Sequence, residues 1–199
     1  MAAMAASGKI KLRTVTPQAE YAASRLDGMA RSWNITIEQR AGGEAEGFTL
    51  TRKGNKVVVS GNDGSGCIYG ANRLLELWSE DPTLARLTTM TDAPQMVMRG
   101  TCIGLQKTVY LPGHSVYEYP YTPENFPWFY DKEEWLRYLD MMVECKMNSL
   151  YLWNGHPFAS LVRLEDYPFA VEVDDETFRK NEEIFSFLTL LSQSKRASI

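Results

Sequence analysis

Apolar and polar residues follow one another in the first part of the chain in patterns typical of strands and helices. Lys9 to Val15 alternates between the two classes, as a half-buried strand does. Thr16 and Pro17 then suit the N-cap and the first position of a helix. The apolar residues that follow at helical spacing are Ala19, Ala22, Ala23, Leu26, Met29 and Ala30. A strand and a helix with one small, apolar face are therefore predicted.

Three further strands and a second helix are predicted next. The strands are Trp33–Gln39, Gly47–Arg52 and Val57–Val59, and a hairpin turn over Lys53–Lys56 joins the last two. The helix that follows them carries a row of apolar residues, namely Ile68, Ala71, Leu74, Leu75, Leu77 and Trp78. Strand, helix, several strands and helix in this order predict a small α/β sandwich that ends near Asp92.

The rest of the chain shows the succession of a strand and a helix twice. Met96–Gly104 predicts a buried strand, and Lys132–Lys146 predicts a helix with one apolar face. Met147–Trp153 predicts a strand packed on both faces. Asp175 is predicted to cap a last helix over 176–192. This alternation is typical of a parallel α/β fold.

The glycine-rich segment over 61–70 leaves three alternatives: a phosphate cradle, a metal loop or a tight turn. A phosphate-binding P-loop ends in Lys followed by Ser or Thr, whereas Cys67 follows the last glycine here, and the glycine spacing also differs from the dinucleotide fingerprint. Asn62 and Asp63 offer oxygen ligands for calcium, but no Glu follows at a bidentate position. A tight turn is therefore predicted, in which glycines supply positive φ angles. These glycines are Gly61, Gly64 and Gly66.

The composition narrows the classes of partner. The 199 residues carry a net charge of −4 and mix their Lys and Arg with acids, which argues against a nucleic-acid partner. No stretch approaches the roughly 20 apolar residues of a membrane span, and the start of the chain shows no signal peptide. Three distant cysteines (Cys67, Cys102 and Cys145) predict buried, reduced thiols rather than disulfides or a zinc site. No cofactor and no metal are expected.

Motifs around the glycine-rich segment resemble those of a known group of enzymes. An apolar strand (KVVVSG) and Tyr69-Gly70, which opens an apolar helix, resemble the small N-terminal domain of glycoside hydrolases in families 20 and 67. These are the β-hexosaminidases and α-glucuronidases. Pro94 and Arg99-Gly100 resemble the start of the first barrel strand in family 20. Residues 135–153 resemble its first barrel helix and second strand, and 165–168 resemble a later Tyr-Pro segment.

The resemblance implies two parts. Residues 8–92 would form a non-catalytic N-terminal α/β domain, and residues 93–199 would form the first two β/α units of a TIM barrel. A full barrel takes about 250 residues, so the chain is expected to be an N-terminal fragment. Family 20 carries its catalytic acids on the fourth barrel strand, so no catalytic residue is expected here. Because Trp153–Phe158 differs from family 20 at the end of the second strand, a related glycosidase family is favoured.

The resemblance also implies a sugar site, because barrel enzymes collect their sites at the carboxyl ends of the strands. Arg99 matches the family 20 arginine that holds sugar hydroxyls, and a salt bridge at the base of the barrel is the equal alternative. Trp153 offers an indole face for a sugar ring or packs in the core. Asn154 and His156 offer hydrogen bonds to hydroxyls, with a capped turn before Pro157 as the alternative for His156.

The loop from Leu105 to Asp131 is long and rich in aromatic residues and proline, which favours a functional role. Its aromatic residues are predicted either to form a rim for a glycan or to pack on neighbouring barrel units. They are Tyr110, Tyr117, Tyr119, Tyr121, Trp128, Phe129 and Tyr130. Four acidic residues beyond the loop, Glu165, Asp166, Asp174 and Asp175, are predicted to be solvated or to cap a helix.

These observations favour the N-terminal portion of a glycoside hydrolase that acts on glycosides of an amino sugar or a uronic acid, with the chain itself inactive. A non-catalytic carbohydrate-binding or scaffold module is the main alternative, and a small nucleotide-binding protein is a third. A carbohydrate is the expected partner, together with self-association through the exposed edge of the barrel. The parent enzyme is expected to be periplasmic or secreted.

Overall fold

The computed structural model describes residues 9–104, 122–124, 126–153, 166 and 173–192. Its strands are β1 (Ile10–Leu12), β2 (Asn34–Gln39), β3 (Phe48–Lys53), β4 (Lys56–Gly61), β5 (Thr89–Asp92), β6 (Gly100–Gly104) and β7 (Ser149–Trp153). Its α-helices are α1 (Pro17–Arg25), α2 (Gly64–Glu80), α3 (Lys132–Glu144) and α4 (Asp175–Ser192). Short 3-10 helices lie at Met29–Arg31 and Pro127–Tyr130. The fold is mixed α/β, as predicted.

Five strands form one sheet in the order β1-β2-β4-β3-β5. β1, β2 and β4 are parallel, whereas β3 runs antiparallel to both of its neighbours. Gly54 has a φ of +62° between β3 and β4, which confirms the hairpin turn over Lys53–Lys56. The edge strand β5 has no counterpart among the predicted strands, because only Met90 of its four residues is apolar.

α1 and α2 cover one face of this sheet. Alternate residues of β2, β3 and β4 enter the core beneath the helices and are at most 1% exposed; they are Ile35, Ile37, Phe48, Leu50, Val57 and Val59. The Thr16 hydroxyl accepts a hydrogen bond from the Ala19 N–H at 3.1 Å, which confirms Thr16 as the N-cap of α1. Helices and sheet thus form the two layers that the sequence predicts.

The glycine-rich segment over 61–70 forms the end of β4 and the start of α2, and none of its residues has a positive φ. Asp63 caps the helix, because its Oδ1 accepts a hydrogen bond from the Gly66 N–H at 2.8 Å. The positive φ angles predicted for Gly61, Gly64 and Gly66 are therefore wrong. Among the described glycines, positive φ occurs at Gly42, Gly43 and Gly54.

Close backbone contact explains why glycine is required at two positions of the segment over 61–70. A Cβ atom on Gly66 would lie 2.1 Å from the carbonyl oxygen of Gly47. A Cβ atom on Gly61 would lie 2.3 Å from the backbone nitrogen of Cys67. Neither position has room for a side chain, so glycine lets α2 begin in direct contact with the neighbouring backbone.

β6 and β7 form a separate parallel pair, with α3 between them in the chain. On one face Ile103, Leu150 and Leu152 pack against the second core cluster, which consists of Phe126, Phe129, Trp135 and Ile184. On the opposite face Cys102 is exposed and Tyr151 is 59% exposed. The prediction that β7 is packed on both faces is therefore wrong for the described residues, because the helices lie on one side of the pair.

The strand predicted over Met96–Gly104 is shorter in the structure, where β6 begins at Gly100. Met96, Val97 and Met98 are 68%, 92% and 78% exposed, so the prediction of a buried strand is wrong for these three residues. The carbonyl groups of Met96 and Val97 accept hydrogen bonds from the Arg99 and Asn148 side chains, which occupy acceptors that a neighbouring strand would need.

Two predictions about side chains also need correction. Asp174, rather than Asp175, caps α4, because its Oδ1 accepts a hydrogen bond from the Thr177 N–H at 2.9 Å. Burial of the thiols holds for Cys67, but Cys102 and Cys145 are exposed. Burial raises the pKa of the Cys67 thiol to about 11, so this cysteine stays protonated inside the core.

Candidate functional site

The carboxyl ends of β6 and β7 meet at one edge of their sheet. The strands are parallel, and their last register pair joins Gly104 to Trp153. Asn154 and His156 lie outside the described residues, as does the side chain of Trp153. The backbone of Trp153 therefore lies at the carboxyl edge of this parallel pair. The sugar-binding roles of these three residues stay predictions.

Tyr151 lies in the middle of β7, two residues before Trp153, and no role is predicted for it from the sequence. It pairs with Cys102 in the register of β6 and β7, on the face that the helices leave open. An exposed phenol offers a flat apolar ring and a hydroxyl, the two features that suit contact with a sugar. The alternation of Leu150, Tyr151 and Leu152 indicates that Tyr151 lies on the face opposite the two leucines.

Arg99 lies at the other end of β6, one residue before the strand begins. A five-residue strand is about 15 Å long, so the amino end is well separated from Trp153. The Arg99 side chain is 12% exposed, and its Nη2 forms a salt bridge of 2.7 Å with Glu46 Oε2. Nε donates to the carbonyl oxygen of Lys146 at 2.6 Å, and Nη1 donates to that of Met96 at 2.6 Å. Of the two alternatives for Arg99, the structure shows the salt bridge at the base of the strands.

Asn148 and Tyr69 complete this polar network. Asn148 Oδ1 accepts a hydrogen bond from the Arg99 backbone N–H at 2.9 Å, and its Nδ2 donates to Glu46 Oε1 at 3.3 Å. The Tyr69 hydroxyl accepts from Arg99 Nη2 at 3.3 Å. Burial and the nearby Glu46 carboxylate both raise the pKa of Tyr69, so the phenol stays protonated. Burial acts to lower the pKa of Arg99, but its hydrogen bonds to Glu46 and Tyr69 outweigh that effect and the pKa is raised.

The described part of the aromatic loop packs mainly inward. Phe129 is fully buried, and its carbonyl oxygen accepts a hydrogen bond from Trp135 Nε1 at 2.7 Å. The Tyr130 hydroxyl donates to Asn181 of α4. Trp128 is 42% exposed and lines a groove of about 320 Å³ beside Ile103, Glu134, Trp135 and Tyr138. The tyrosines predicted for a glycan rim at positions 110, 117, 119 and 121 lie outside the described residues.

The carboxylates that the structure describes in partly buried positions are held by hydrogen bonds and ion pairs. Glu38 is buried and accepts from Arg13 at 2.6 Å and from the Ser60 hydroxyl at 2.8 Å. Burial raises the pKa of Glu38, but the bonds from Arg13 and Ser60 outweigh it, so the pKa is lowered and the side chain stays ionised. A carboxylate held ionised in this way does not serve as a general acid at neutral pH.

The other acids singled out from the sequence serve local roles. Both oxygens of Asp63 accept backbone hydrogen bonds, Oδ1 from Gly66 at 2.8 Å and Oδ2 from Glu46 at 2.6 Å. Asp174 caps α4, and the bonds from Thr177 lower its pKa. Asp166 and Asp175 are exposed, whereas Glu165 lies outside the described residues.

Metal binding requires several ligand side chains in one place, and membrane insertion requires a long apolar helix. The described residues contain no group of three or more His, Cys, Asp or Glu side chains placed to hold a metal ion. No helix among them combines the length and the apolar character that a membrane span requires.

Comparison with solved structures identifies similar proteins. The chain is 50% identical over 94% of its length to a glycoside hydrolase family 138 enzyme targeting the pectin rhamnogalacturonan II, with a TM-score of 0.81. It covers 23% of that chain. A family 20 chitobiase from Flavobacterium johnsoniae is 14% identical over 96% of this chain and 30% of its own, with a TM-score of 0.55, which shows a shared fold. No family model and no curated protein matches the sequence.

Proposed function

Since this chain resembles part of a glycoside hydrolase in both sequence and fold, we propose that it supplies two parts of such an enzyme. The first is an accessory layer, formed by the five-stranded sheet with α1 and α2, and the second is the first two β/α units of a glycosidase barrel. The observation that supports this proposal most is the 50% identity to the family 138 enzyme over 94% of the chain. The chain spans about a quarter of that enzyme's length, 23%. The complete activity would therefore depend on further parts of a longer protein.

The arrangement of β6, α3 and β7 supports this assignment. A parallel pair of strands joined by a helix is the repeating unit of a (β/α)₈ barrel. In such a barrel the helices lie outside and the opposite face of each strand lines the interior. The leucines of β7 pack towards α3 and α4, while Cys102 and Tyr151 lie on the open face. We assign that open face to the inside of the barrel.

A substrate site at the carboxyl ends of β6 and β7 follows from this assignment. Trp153 would stack on a sugar ring, and Asn154 and His156 would donate or accept hydrogen bonds at its hydroxyl groups. Arg99 belongs to the network at the opposite end of the strands, so it has no place in this sugar site. The family 138 relative targets the pectin rhamnogalacturonan II, which supports a pectin glycan as the substrate class of the longer protein.

The chain by itself should not cleave glycosides. Glycoside hydrolysis uses two carboxyl groups, one on each side of the scissile bond, with one of them held as an acid. The partly buried carboxylates that the structure describes are instead committed to ion pairs and helix caps, as Glu38, Glu46 and Asp63 show. The three of them lie in or beside the five-stranded sheet, away from the end of β7.

An assay of the isolated chain on aryl glucuronides, galacturonides and hexosaminides tests this proposal. The expected result is no turnover above the uncatalysed rate, with the family 138 enzyme assayed on its pectin substrate as the positive control. Circular dichroism would confirm that the chain is folded under the assay conditions. Robust turnover of any of these glycosides would overturn the assignment of the chain as a non-catalytic portion.

A further inference from the structure

We propose that Arg99 is a clamp that couples the five-stranded sheet to the β6–β7 sheet, so that the two open together as one cooperative unit. This proposal concerns the mechanics of the fold and does not depend on the glycosidase assignment. The clamp consists of Arg99 and four partners: Glu46 and Tyr69 from the five-stranded part, and Lys146 and Asn148 from the turn before β7.

Two of these partners have a strained backbone. Among the described residues, positive φ angles at residues other than glycine occur at Glu46 (60°), Leu84 (47°) and Lys146 (55°). A left-handed conformation is unfavourable for a residue with a Cβ atom and persists where surrounding contacts hold it. Glu46 belongs to the turn before β3, and Lys146 to the turn before β7. Arg99 bonds to both, through the Glu46 carboxylate and the Lys146 carbonyl oxygen.

Further contacts fix each strained residue in place. The Glu46 N–H donates to Asp63 Oδ2 at 2.6 Å, and Asp63 also caps α2. The Lys146 ammonium lies 3.4 Å from Asp92 Oδ2 and 5.7 Å from the centre of the Phe48 ring. The clamp therefore joins the start of α2, the end of β5 and the turn after α3.

The segment between the two sheets relies on the same guanidinium. Met96 to Met98 are exposed, and the carbonyl groups of Met96 and Val97 accept hydrogen bonds from Arg99 Nη1. Replacing Arg99 by an apolar residue would leave this segment held by the Asn148 side chain alone, through the Val97 carbonyl oxygen. It would also leave the Glu46 carboxylate, 19% exposed, without its cation, and a partly buried charge that loses its partner is destabilising.

A second contact region keeps the two parts close when the clamp is broken. The Tyr21 hydroxyl of α1 donates to Asp140 of α3 at 2.8 Å, and Arg25 of α1 pairs with Glu144 of α3. Val143 of α3 also enters the first core cluster. Loss of the clamp is therefore expected to permit local opening of α3, β6 and β7 without complete separation of the two parts.

Hydrogen exchange of the full 199-residue chain, followed by mass spectrometry, tests the coupling. In the wild type, the slowest amides of β2–β4 and of α3 and β7 should report the same opening equilibrium. In Arg99→Met, the amides of α3 and β7 should exchange about tenfold faster or more, while those of β2–β4 keep their rates. Glu46→Gln should give a smaller rise in the same segments, because the amide oxygen still accepts a hydrogen bond.

Arg52→Met is the matched control. Arg52 Nη1 donates to the carbonyl oxygen of Leu84, the third left-handed residue, at 2.5 Å, and both residues belong to the five-stranded part. Because the clamp is intact in this variant, the slowest amides of both parts should exchange faster by the same factor, whereas in Arg99→Met only those of α3 and β7 should. Equal rises in both parts for Arg99→Met, no rise in α3 and β7, or unequal opening already in the wild type would each overturn the clamp. If Arg99→Met does not fold, Glu46→Gln decides between these outcomes.

Discussion

Gly66 shows how closely single residues are constrained where α2 begins. The sequence predicts a helix after the glycine-rich segment, and the structure shows that Asp63 caps it. It does not show why glycine is needed, because the contact involves the carbonyl group of Gly47 on a separate turn. A contact between segments that are far apart in the chain produces no periodic pattern in the sequence. The local sequence predicts a positive φ angle for Gly66, whereas the structure shows that glycine is required there because the Gly47 backbone lies so close.

Substitution of Gly66 by alanine should therefore be strongly destabilising. The added Cβ would lie 2.1 Å from the Gly47 carbonyl oxygen, which is backbone and cannot rotate away. Overpacking of this kind costs about 3 kcal/mol in the free energy of unfolding. Urea unfolding followed by circular dichroism would measure the loss. Gly28→Ala is the control, since no atom lies within 4 Å of its Cβ position, and its effect should stay within about 1 kcal/mol. Equal effects of the two substitutions would contradict this account.

The sequence singles out Arg99 as a candidate functional residue, but it does not predict which role Arg99 has. Its Arg-Gly pair resembles the start of a barrel strand, which leaves a sugar contact and a salt bridge open. The salt-bridge partner Glu46 is 53 positions earlier, and Asn148 is 49 positions later. Both are isolated polar residues in turns, and no periodic pattern links them to Arg99. The partners therefore become visible only once the two sheets are placed together.

At the scale of elements, periodicity predicts the strands and helices that bury one face. β2, β3 and β4 alternate because the helices cover one side of the sheet, and α3 shows its apolar stripe because it packs on β6 and β7. Periodicity does not predict the structure correctly where apolar residues are exposed to solvent. Met96 to Met98 read as a strand, yet Arg99 and Asn148 take the carbonyl groups that a strand would use. β5 is missed for the opposite reason, since its short sequence is mostly polar.

The β6–β7 pair should promote self-association of the isolated chain. In the described part of the chain the two strands pair only with each other, and Tyr151 is exposed on the face opposite the helices. Open strand edges and exposed apolar surface favour contact with a second copy. Light scattering should show a mass that rises with protein concentration.

Tyr151→Lys should reduce this association by placing a charge on the open face. Thr51→Lys is the matched control, since Thr51 is an exposed residue on β3 of the other sheet and should leave association unchanged. A clean monomer at high concentration for the unmodified chain would count against the proposed exposed barrel edge.

At the scale of the whole molecule, the order of motifs carries more information than any one of them. The strand before α2, the Arg-Gly pair at β6 and the α3–β7 segment follow one another as in a glycosidase, and the solved structures confirm that the similar proteins are glycoside hydrolases. The departures after Trp153 favour a family related to family 20, and the family 138 enzyme is similar to the chain over 94% of its length. The substrate does not follow from these motifs, because side chains at strand ends decide it and the strands pack alike in many glycosidases.

The activity of a chimeric enzyme tests the central claim most directly. In the chimera, this chain would replace the equivalent 23% of the family 138 enzyme, and cleavage of the pectin substrate would be measured beside the intact enzyme. Because the chain is proposed to provide the accessory layer and the first two units of the same barrel, the chimera should fold and cleave the substrate. A folded chimera with no activity, beside an active parent, would contradict the account.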